Sequence, residues 1–340
     1  MQLQGGKGHD FRSMSSISLE DRREKAKARL WPLRLLLAIG AGALLLATLP
    51  GYAAPLYYDL DLFAHFRMHF LGFALLLLAV AALFRARVAV VLALAAALSS
   101  GLGLIPLWQG AAGAVPGMPV TVMTANVYAY NEDPAEMRRA LVEVDADILL
   151  TVETTLEAFP EDSELAQAYP HRVAYRTFRK NLGAVLWSKY PIVKPGPKPA
   201  DFESPDAVRA VIEIAPGKAL SVLGVHLAHV AIGKQRHEVE ELKGLVADLP
   251  EPRIVLGDFN ATAWSWGLAR AEKLTGTRKV QGVIRTWHGE YPTPFGPLPE
   301  PFGIPIDHIL ISGGIGADKV ERIHIPGSDH AGVRTVLYLP

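Results

Sequence analysis

The chain of 340 residues contains no cysteine. That excludes thiol catalysis, disulfide staples and thiolate metal sites, leaving only oxygen and imidazole as metal ligands. Net charge is missing too, because 34 Lys and Arg balance 34 Asp and Glu. The balance is uneven along the chain: residues 1–118 carry an excess of five basic side chains and residues 119–340 an excess of five acidic ones. An acidic C-terminal region lacks the broad positive surface on which sequence-independent DNA binding depends. No internal repeat is evident, and three long apolar runs lack the polar face that helices of a soluble bundle require.

Those runs are the most prominent feature present. Residues 35–58 hold no formal charge and are rich in Leu and Ala, long enough to cross the hydrocarbon core as a helix. Seventeen residues separate Arg67 from Arg85, and a third run covers 88–108. We expect three transmembrane helices within 35–108. A cleaved signal peptide is an alternative for the first run, but it would start far from residue 1 and two further runs follow. Basic residues set the orientation. Lys7, Arg12, Arg22, Arg23, Lys25, Lys27, Arg29 and Arg34 keep a tail at 1–34 in the cytoplasm, and Arg85 with Arg87 mark the second loop as cytoplasmic. Asp59 and Asp61 suit a first loop outside. Three spans then deliver everything beyond a Gly-, Ala- and Pro-rich linker at 109–118 to the outside, as a multi-pass protein of the cell membrane.

The domain expected at 119–340 reads as strands at 120–125, 147–152, 183–188, 207–214, 220–225, 254–257, 308–312 and 333–339. Several are apolar throughout, as in strands covered on both faces. Asp133-Pro134 looks like an N-cap with proline at the first helical position, and Met137, Leu141 and Val144 line one face of the helix that follows. A second helix, 234–249, buries Val239, Leu242, Val246 and Leu249. The proline-rich stretch 291–305 reads as a rigid loop. Such a mixture suggests two packed sheets with helices outside.

Polar residues fall where these runs end. Asn126, Glu153, His226 and Asp258 each close a strand, Asp307 opens one, and Asp329 with His330 precede the last. Loops at strand ends are where such scaffolds place function. Oxygen donors with imidazole and no thiol favour Mg²⁺ or Mn²⁺. His229 and His308 read as structural histidines and Asn131 as a turn residue. Trp264, Trp266 and Trp287 either wall a cleft or pack inside.

Six segments carry a resemblance: Thr124-Ala-Asn-Val, Leu149-Leu-Thr-Val-Glu153, Val225-His-Leu, Gly257-Asp-Phe-Asn260, Ile306-Asp-His-Ile-Leu and Ser328-Asp-His330. In this order they resemble the endonuclease/exonuclease/phosphatase superfamily, the fold of DNase I-like nucleases, sphingomyelinases and inositol polyphosphate phosphatases, here in a membrane-anchored bacterial form. The resemblance implies an α/β, four-layered sandwich, with two mixed sheets packed face to face and helices outside, preceded by the three transmembrane helices. It also implies roles. Glu153 would bind a catalytic Mg²⁺ (or Mn²⁺) with Asn126 and Asp329. Asp258 would orient or deprotonate the attacking water, and Asn260 would hold that water or a phosphate oxygen. His330, paired with Asp307, would bind the phosphoryl group, with His226 on its other side. Two departures stand out: Val152 occupies a place where many relatives have Gln, and no insertion suited to gripping a DNA duplex is recognisable.

The expected activity is metal-dependent hydrolysis of a phosphate ester or pyrophosphate outside the cytoplasm. Its substrate would be a phosphorylated small molecule or a lipid-linked phosphate. The bilayer is the expected partner, no obligate protein partner is evident, and nucleic acid is not favoured. The rivals are an extracytoplasmic Mg²⁺-dependent nuclease and a binding module on an inactive catalytic fold. The retained polar set argues against the second.

Overall fold

The computed structural model describes residues 19–288 and 302–340, apart from 112, 114, 156, 177–182 and 197–204. The tail up to residue 18 and most of the proline-rich loop lie outside the described residues.

The first apolar run is helical only in part. Helix α1 (Leu19–Thr48) ends before Pro50, whose ring cannot continue the hydrogen-bond ladder. Gly51 then passes so close to Ala64 that a Cβ would lie 2.8 Å from its backbone nitrogen. Turns and the short α2 (Asp61–His65) lead into α3 (Arg67–Leu83), and α4 (Arg87–Gly103) follows. These helices meet through small side chains, with Ala41, Ala74, Ala81, Ala89, Ala93 and Ala96 buried, as when backbones pack closely in lipid. Leu36, Leu46, Leu76, Leu83 and Leu98 are exposed. Among the described residues, Leu30–Tyr52 and Arg87–Trp108 are long and apolar enough to cross a membrane. The middle run reaches that length only together with its bent partner, as Tyr58–His65 plus Arg67–Leu83, with a 52° turn between them. Of the three expected spans, two are therefore single helices of membrane-crossing length, and the third is a broken pair. The break has a cause: Asp61 and Arg67, buried polar side chains, are engaged by the C-terminal domain.

That domain begins with β1 (Met118–Asn126), α5 (Pro134–Glu143), β2 (Ile148–Val152), α6 (Glu164–Ala168), β3 (His171–Arg176), β4 (Gly183–Ser188), β5 (Ile192–Pro195), β6 (Asp206–Ala215) and β7 (Lys218–His226). Then come α7 (Gln235–Val246), β8 (Arg253–Asp258), α8 (Trp266–Thr275), β9 (Thr277–Lys279), β10 (Asp307–Ser312), β11 (Gly316–Ala317), β12 (Glu321–Ile323) and β13 (Gly332–Leu339). One sheet runs β11-β13-β1-β2-β4-β3, with β12 also on β13; the other runs β5-β6-β7-β8-β10-β9. Each has one parallel pair, β1 with β2 and β7 with β8, among antiparallel neighbours, so both sheets are mixed.

Apolar packing fixes four layers. Val122, Leu150 and Leu186 meet Val208, Val222 and Leu256 between the sheets. Met123, Leu149 and Trp187 face outward onto Met137, Leu141 and Leu165 of α5 and α6. On the far side, Leu223, Val225 and Val255 meet Val239 and Leu242 of α7 and Leu268 of α8. Full burial of each such side chain contributes about 1.5–3 kcal/mol. Gly224 sits between the sheets, and a Cβ there would strike Leu150 and Val208. All eight expected strands form, as do both expected helices. Strands β3, β5, β9, β11 and β12 and helices α6 and α8 are additional. Residues 109–118, read as a linker, are tied down at two points: Ala111 bridges to Val280 and Gly113 to Ala317.

Candidate active site

The parallel pairs bring four strand ends to one edge of the sandwich. In the second sheet, β-register places Asp206 opposite His226, His226 beside Asp258, and Asp258 opposite Asp307. Side chains at paired positions share a face, so this row is a consequence of register alone. Asn126 ends β1 above the same cleft, and His330 precedes β13, the antiparallel neighbour of β1.

Hydrogen bonds join the row to the first sheet. Asn126 Nδ2 donates to Glu153 Oε1 at 2.9 Å and to Asp258 Oδ2 at 3.1 Å, while its Oδ1 accepts from the Tyr128 amide at 3.0 Å. Glu153 Oε2 accepts from the Ala129 amide at 3.1 Å. Glu153 has φ of 55°, in the left-handed region, a strain that bulky residues hold only when surroundings compel it. His226 Nε2 lies 3.8 Å from both Glu153 and Asp258. His330 Nδ1 bonds Asp307 Oδ2 at 2.9 Å, and its Nε2 is 3.9 Å from Asp258 Oδ2. Asp258 Oδ1 accepts from the Asn260 amide at 2.8 Å, in an Asx-turn. Asn260 Nδ2 donates to Leu227 O, and Gln235 Nε2 to Asn260 O, both at 2.8 Å. Gly257, at φ 141°, lies so close to the Val225 carbonyl that a Cβ would clash, which explains glycine before Asp258.

Electrostatics separate the groups. Burial, reinforced by the charge of Asp307, pushes the Asp258 carboxyl up to about 6. Burial alone would lower His330, but the charge and hydrogen bond of Asp307, with Asp258 and Asp329, hold it up at about 10. His226 is likewise raised: burial opposes its charge, and Asp258, Glu153 and Asp206 overcome that. For Glu153 burial favours the neutral acid, yet His226, Asn126 and the Ala129 amide lower it overall. Burial raises Asp329, whose Oδ2 accepts from Trp287 Nε1 at 3.0 Å.

These side chains open onto a cavity of about 450 Å³ lined by Tyr128, Glu153, His229, Asp258, Asn260, Trp287, Asp329 and His330, with His65, Ile304 and Ile306. Its donors suit a hard divalent cation: clustered carboxylates, no thiol, and Asp307 Oδ1 buried without a hydrogen-bond partner. Ligand atoms of Asp258, Asp307 and His330 lie within 4.8 Å of one another. A protonated imidazole cannot ligate a cation, and the carboxylates around His330 favour its charged form. Asn126, as placed, turns its amide nitrogen toward Glu153; offering its oxygen to a cation would require that amide to rotate.

All eight expected site residues converge, and Asp307 pairs with His330. His308 is structural, its Nε2 on the Ala261 carbonyl at 2.8 Å. Asn131 is a turn residue that accepts from the Asp133 amide at 2.9 Å. His229 caps a turn through Nδ1 but also lines the cavity. Trp287 walls the cleft, whereas Trp264 is buried and Trp266 packs edge-on against Tyr58. The sequence pattern did not point to His65, Tyr128, Gln235 or Ile304. Of these, only Gln235 carried a usable signal, as a polar residue opening an amphipathic helix.

Comparison with known proteins agrees with this geometry. Among solved structures, an endonuclease/exonuclease/phosphatase from Bacteroides vulgatus is similar at 17% identity and a TM-score of 0.55, over 66% of this chain and 100% of that one. D. rerio TDP2 complexed with a single-strand DNA product is similar at 15% identity and 0.51, over 64% and 98%. A mannosyl-6-phosphatase from Bacteroides thetaiotaomicron is similar at 17% and 0.50, over 65% and 100%. At these identities the likeness concerns the fold. No curated protein matches the chain. The model of the endonuclease/exonuclease/phosphatase family matches residues 123–330, more than half of the sequence, and with the fold and cleft described above the chain belongs to that family of metal-dependent phosphoesterases.

Proposed function

We propose that the protein is a membrane-anchored hydrolase of a phosphate ester or pyrophosphate, working outside the cytoplasm on a substrate presented at the bilayer. The observation that carries the chemistry is a pair of hydrogen-bonded groups that meet at one cavity: Asn126 joins Glu153 and Asp258, Asp307 joins His330, and Glu153, Asp258 and His330 line the cavity itself. Mg²⁺ or Mn²⁺ held by Glu153 and Asp329, with Asn126 beside them, would supply Lewis acidity to the phosphoryl oxygens. Asp258, an acceptor at neutral pH because its pKa is about 6, orients the attacking water and takes its proton. Asn260 holds that water or a phosphate oxygen. His330 must be charged to donate from Nε2, since Nδ1 is committed to Asp307; that charge stabilises the phosphoryl oxygens as negative charge builds. His226 does so from the other side.

The proposed organisation is a cytoplasmic tail at 1–34, three spans within 35–108, a linker at 109–118 and the catalytic domain at 119–340. Charge placement supports it. Arg34 donates to the Phe84 carbonyl at 3.0 Å, next to Arg85 and Arg87, so these basic residues share one end of the helix group. The loop after α1 and the end of α4 lie at the other end, against the catalytic domain. A basic end away from the catalytic domain is the cytoplasmic one by the positive-inside rule.

The test is product release by the full chain in detergent, with Mg²⁺ and with EDTA, from bis-p-nitrophenyl phosphate, DNA, phospholipid and polyprenyl pyrophosphate. EDTA-sensitive turnover that Asp258→Ala abolishes is expected. Undiminished turnover in that variant would sink the mechanism. Preference for DNA would favour the nuclease reading.

A further inference from the structure

The catalytic cavity is not built by the catalytic domain alone. The loop after α1 docks on it through buried polar contacts: Tyr58 Oη donates to Gln235 Oε1 at 2.7 Å, and Trp264 Nε1 to the Ala64 carbonyl at 2.7 Å. Asp61 accepts from the amides of Trp266 and Gly267 at 3.0 and 2.8 Å, capping α8. Arg67 joins the Gly103 and Trp264 carbonyls, both at 3.1 Å. Docked in this way, the loop puts His65, 2% exposed and with Nε2 unpartnered, into the wall of the catalytic cavity.

A second cavity of about 270 Å³ lies beside this wall, lined by Met68, His69, Gly72, Phe73 and Leu76 of α3 and by Arg285 and Phe302 of the catalytic domain. His69 Nε2 donates to the Phe302 carbonyl at 2.8 Å, and their rings stack 6.2 Å apart. The two cavities draw lining residues from the same two stretches of chain. His65, at the end of α2, lines one and His69, in the first turn of α3, the other; Ile304 lines the first and Phe302 the second. The second cavity is apolar along α3 and carries one cation, Arg285, on the catalytic-domain side.

We propose that this groove along α3 is a substrate subsite that holds the hydrocarbon chain of an amphiphilic phosphate ester while its phosphate occupies the catalytic cavity. The inference rests on the phosphoesterase reading and adds the chain-binding site and its residues. A chain leaving the phosphate past His65 and Ile304 meets Phe302, Met68 and Phe73 next, and then the exposed apolar flank of α3 at Leu76. That path keeps apolar surface out of water from phosphate to bilayer. The occupant is the substrate's own chain. A structural lipid and a second copy of the protein are alternatives that the test separates.

Gly72 makes the test selective, because nothing lies within 4 Å of where its Cβ would stand. Gly72→Trp directs an indole into the groove from a position whose Cβ meets no backbone. The full chain in detergent would be given p-nitrophenyl dodecyl phosphate and p-nitrophenyl butyl phosphate at fixed detergent ratios. Wild type is expected to prefer the dodecyl ester at least tenfold in kcat/KM. Gly72→Trp should abolish that preference through KM and leave the butyl ester within twofold, which also reports an intact fold; Phe302→Ala should erode it. Equal use of both esters, or a preference that survives both variants, overturns the proposal. So does a copurifying lipid that dodecyl phosphate cannot displace, or a preference that follows dimer formation. If neither ester is turned over with Mg²⁺ or Mn²⁺, the phosphoesterase reading fails. Competition binding of dodecyl against butyl phosphate to the metal-free chain then decides the groove, with loss of chain preference in Gly72→Trp upholding it and no preference in wild type refuting it.

Discussion

Replacing Asp307 by Asn tests whether His330 works through its charge. The amide keeps an oxygen within reach of His330 Nδ1, 2.9 Å away in the wild type, so the ring stays oriented. What disappears is the charge that, together with its hydrogen bond, leads the causes holding His330 up at about 10. Burial then continues to lower the imidazole with less to oppose it, so the variant loses its charged ring at a pH below the wild type's about 10. Because Nδ1–H is committed, only the charged ring donates from Nε2. We expect kcat/KM of the variant to fall progressively behind the wild type as pH rises, by roughly tenfold per pH unit once its ring is neutral while the wild type's is still charged. The substitution also removes the charge that helps to raise Asp258, so the acid limb moves to lower pH in the variant and the ratio is read above pH 7, where Asp258 is ionised in both proteins. Profiles from pH 5.5 to 9 at saturating Mg²⁺, on a soluble phosphodiester, measure that ratio. A loss equal at every pH would show that Asp307 only positions His330, and no loss would remove the pair from the mechanism. Stability supplies an independent sign. A folded-state pKa raised on His330 contributes stability fully below about pH 6.5 and loses it as pH rises through about 10. The wild type should therefore exceed Asp307→Asn most on the acid side of that window, and the gap should close toward pH 10.

Glu153→Gln should cut turnover at least ~100-fold and weaken Mg²⁺ binding by calorimetry; unchanged affinity would place the cation elsewhere. Asp61→Ala leaves two amides of α8 without their acceptor, which costs about 2 kcal/mol and lowers the melting temperature of the full chain by roughly 4–8 °C. An unchanged melting curve would mean that the loop is not docked in solution. Gly224→Val forces a side chain onto Leu150 and Val208 between the sheets and should destabilise by about 1–3 kcal/mol, visible as an earlier denaturant midpoint at constant slope. The absence of native cysteine makes topology directly readable: Lys319→Cys should react with an impermeant maleimide on intact cells and Lys7→Cys should not. The reverse pattern would invert the orientation.

Much of the catalytic domain was legible along the chain. Interior strands are apolar throughout because both faces are covered, so they stand out against turns. The polar residues that end them, from Asn126 to His330, are conspicuous for the same reason, since an apolar run has no use for a terminal carboxylate. The short strands β5, β9, β11 and β12 were not legible. They hold two to four residues, and their pairing is decided by the neighbours they meet. Helix α8 was missed as well, because its buried residues Gly267, Leu268, Ala271 and Thr275 form too small a stripe to announce a helix.

By itself the sequence determined the covalent and periodic facts: no thiol chemistry, apolar runs of membrane length, strands whose ends carry acids and histidines, and a basic N-terminal third. Those follow from local composition and from periods of a few residues. Tertiary structure alone decided which distant groups meet. Register put Asp206, His226, Asp258 and Asp307 in one row, and a fifth group, His330, arrived from beyond β10. Asp61 and Arg67 look like ordinary loop charges in the sequence, yet they are buried against partners about 200 residues away. Burial of a charge is affordable only when such partners are in place, and no window of sequence contains both halves of that contact.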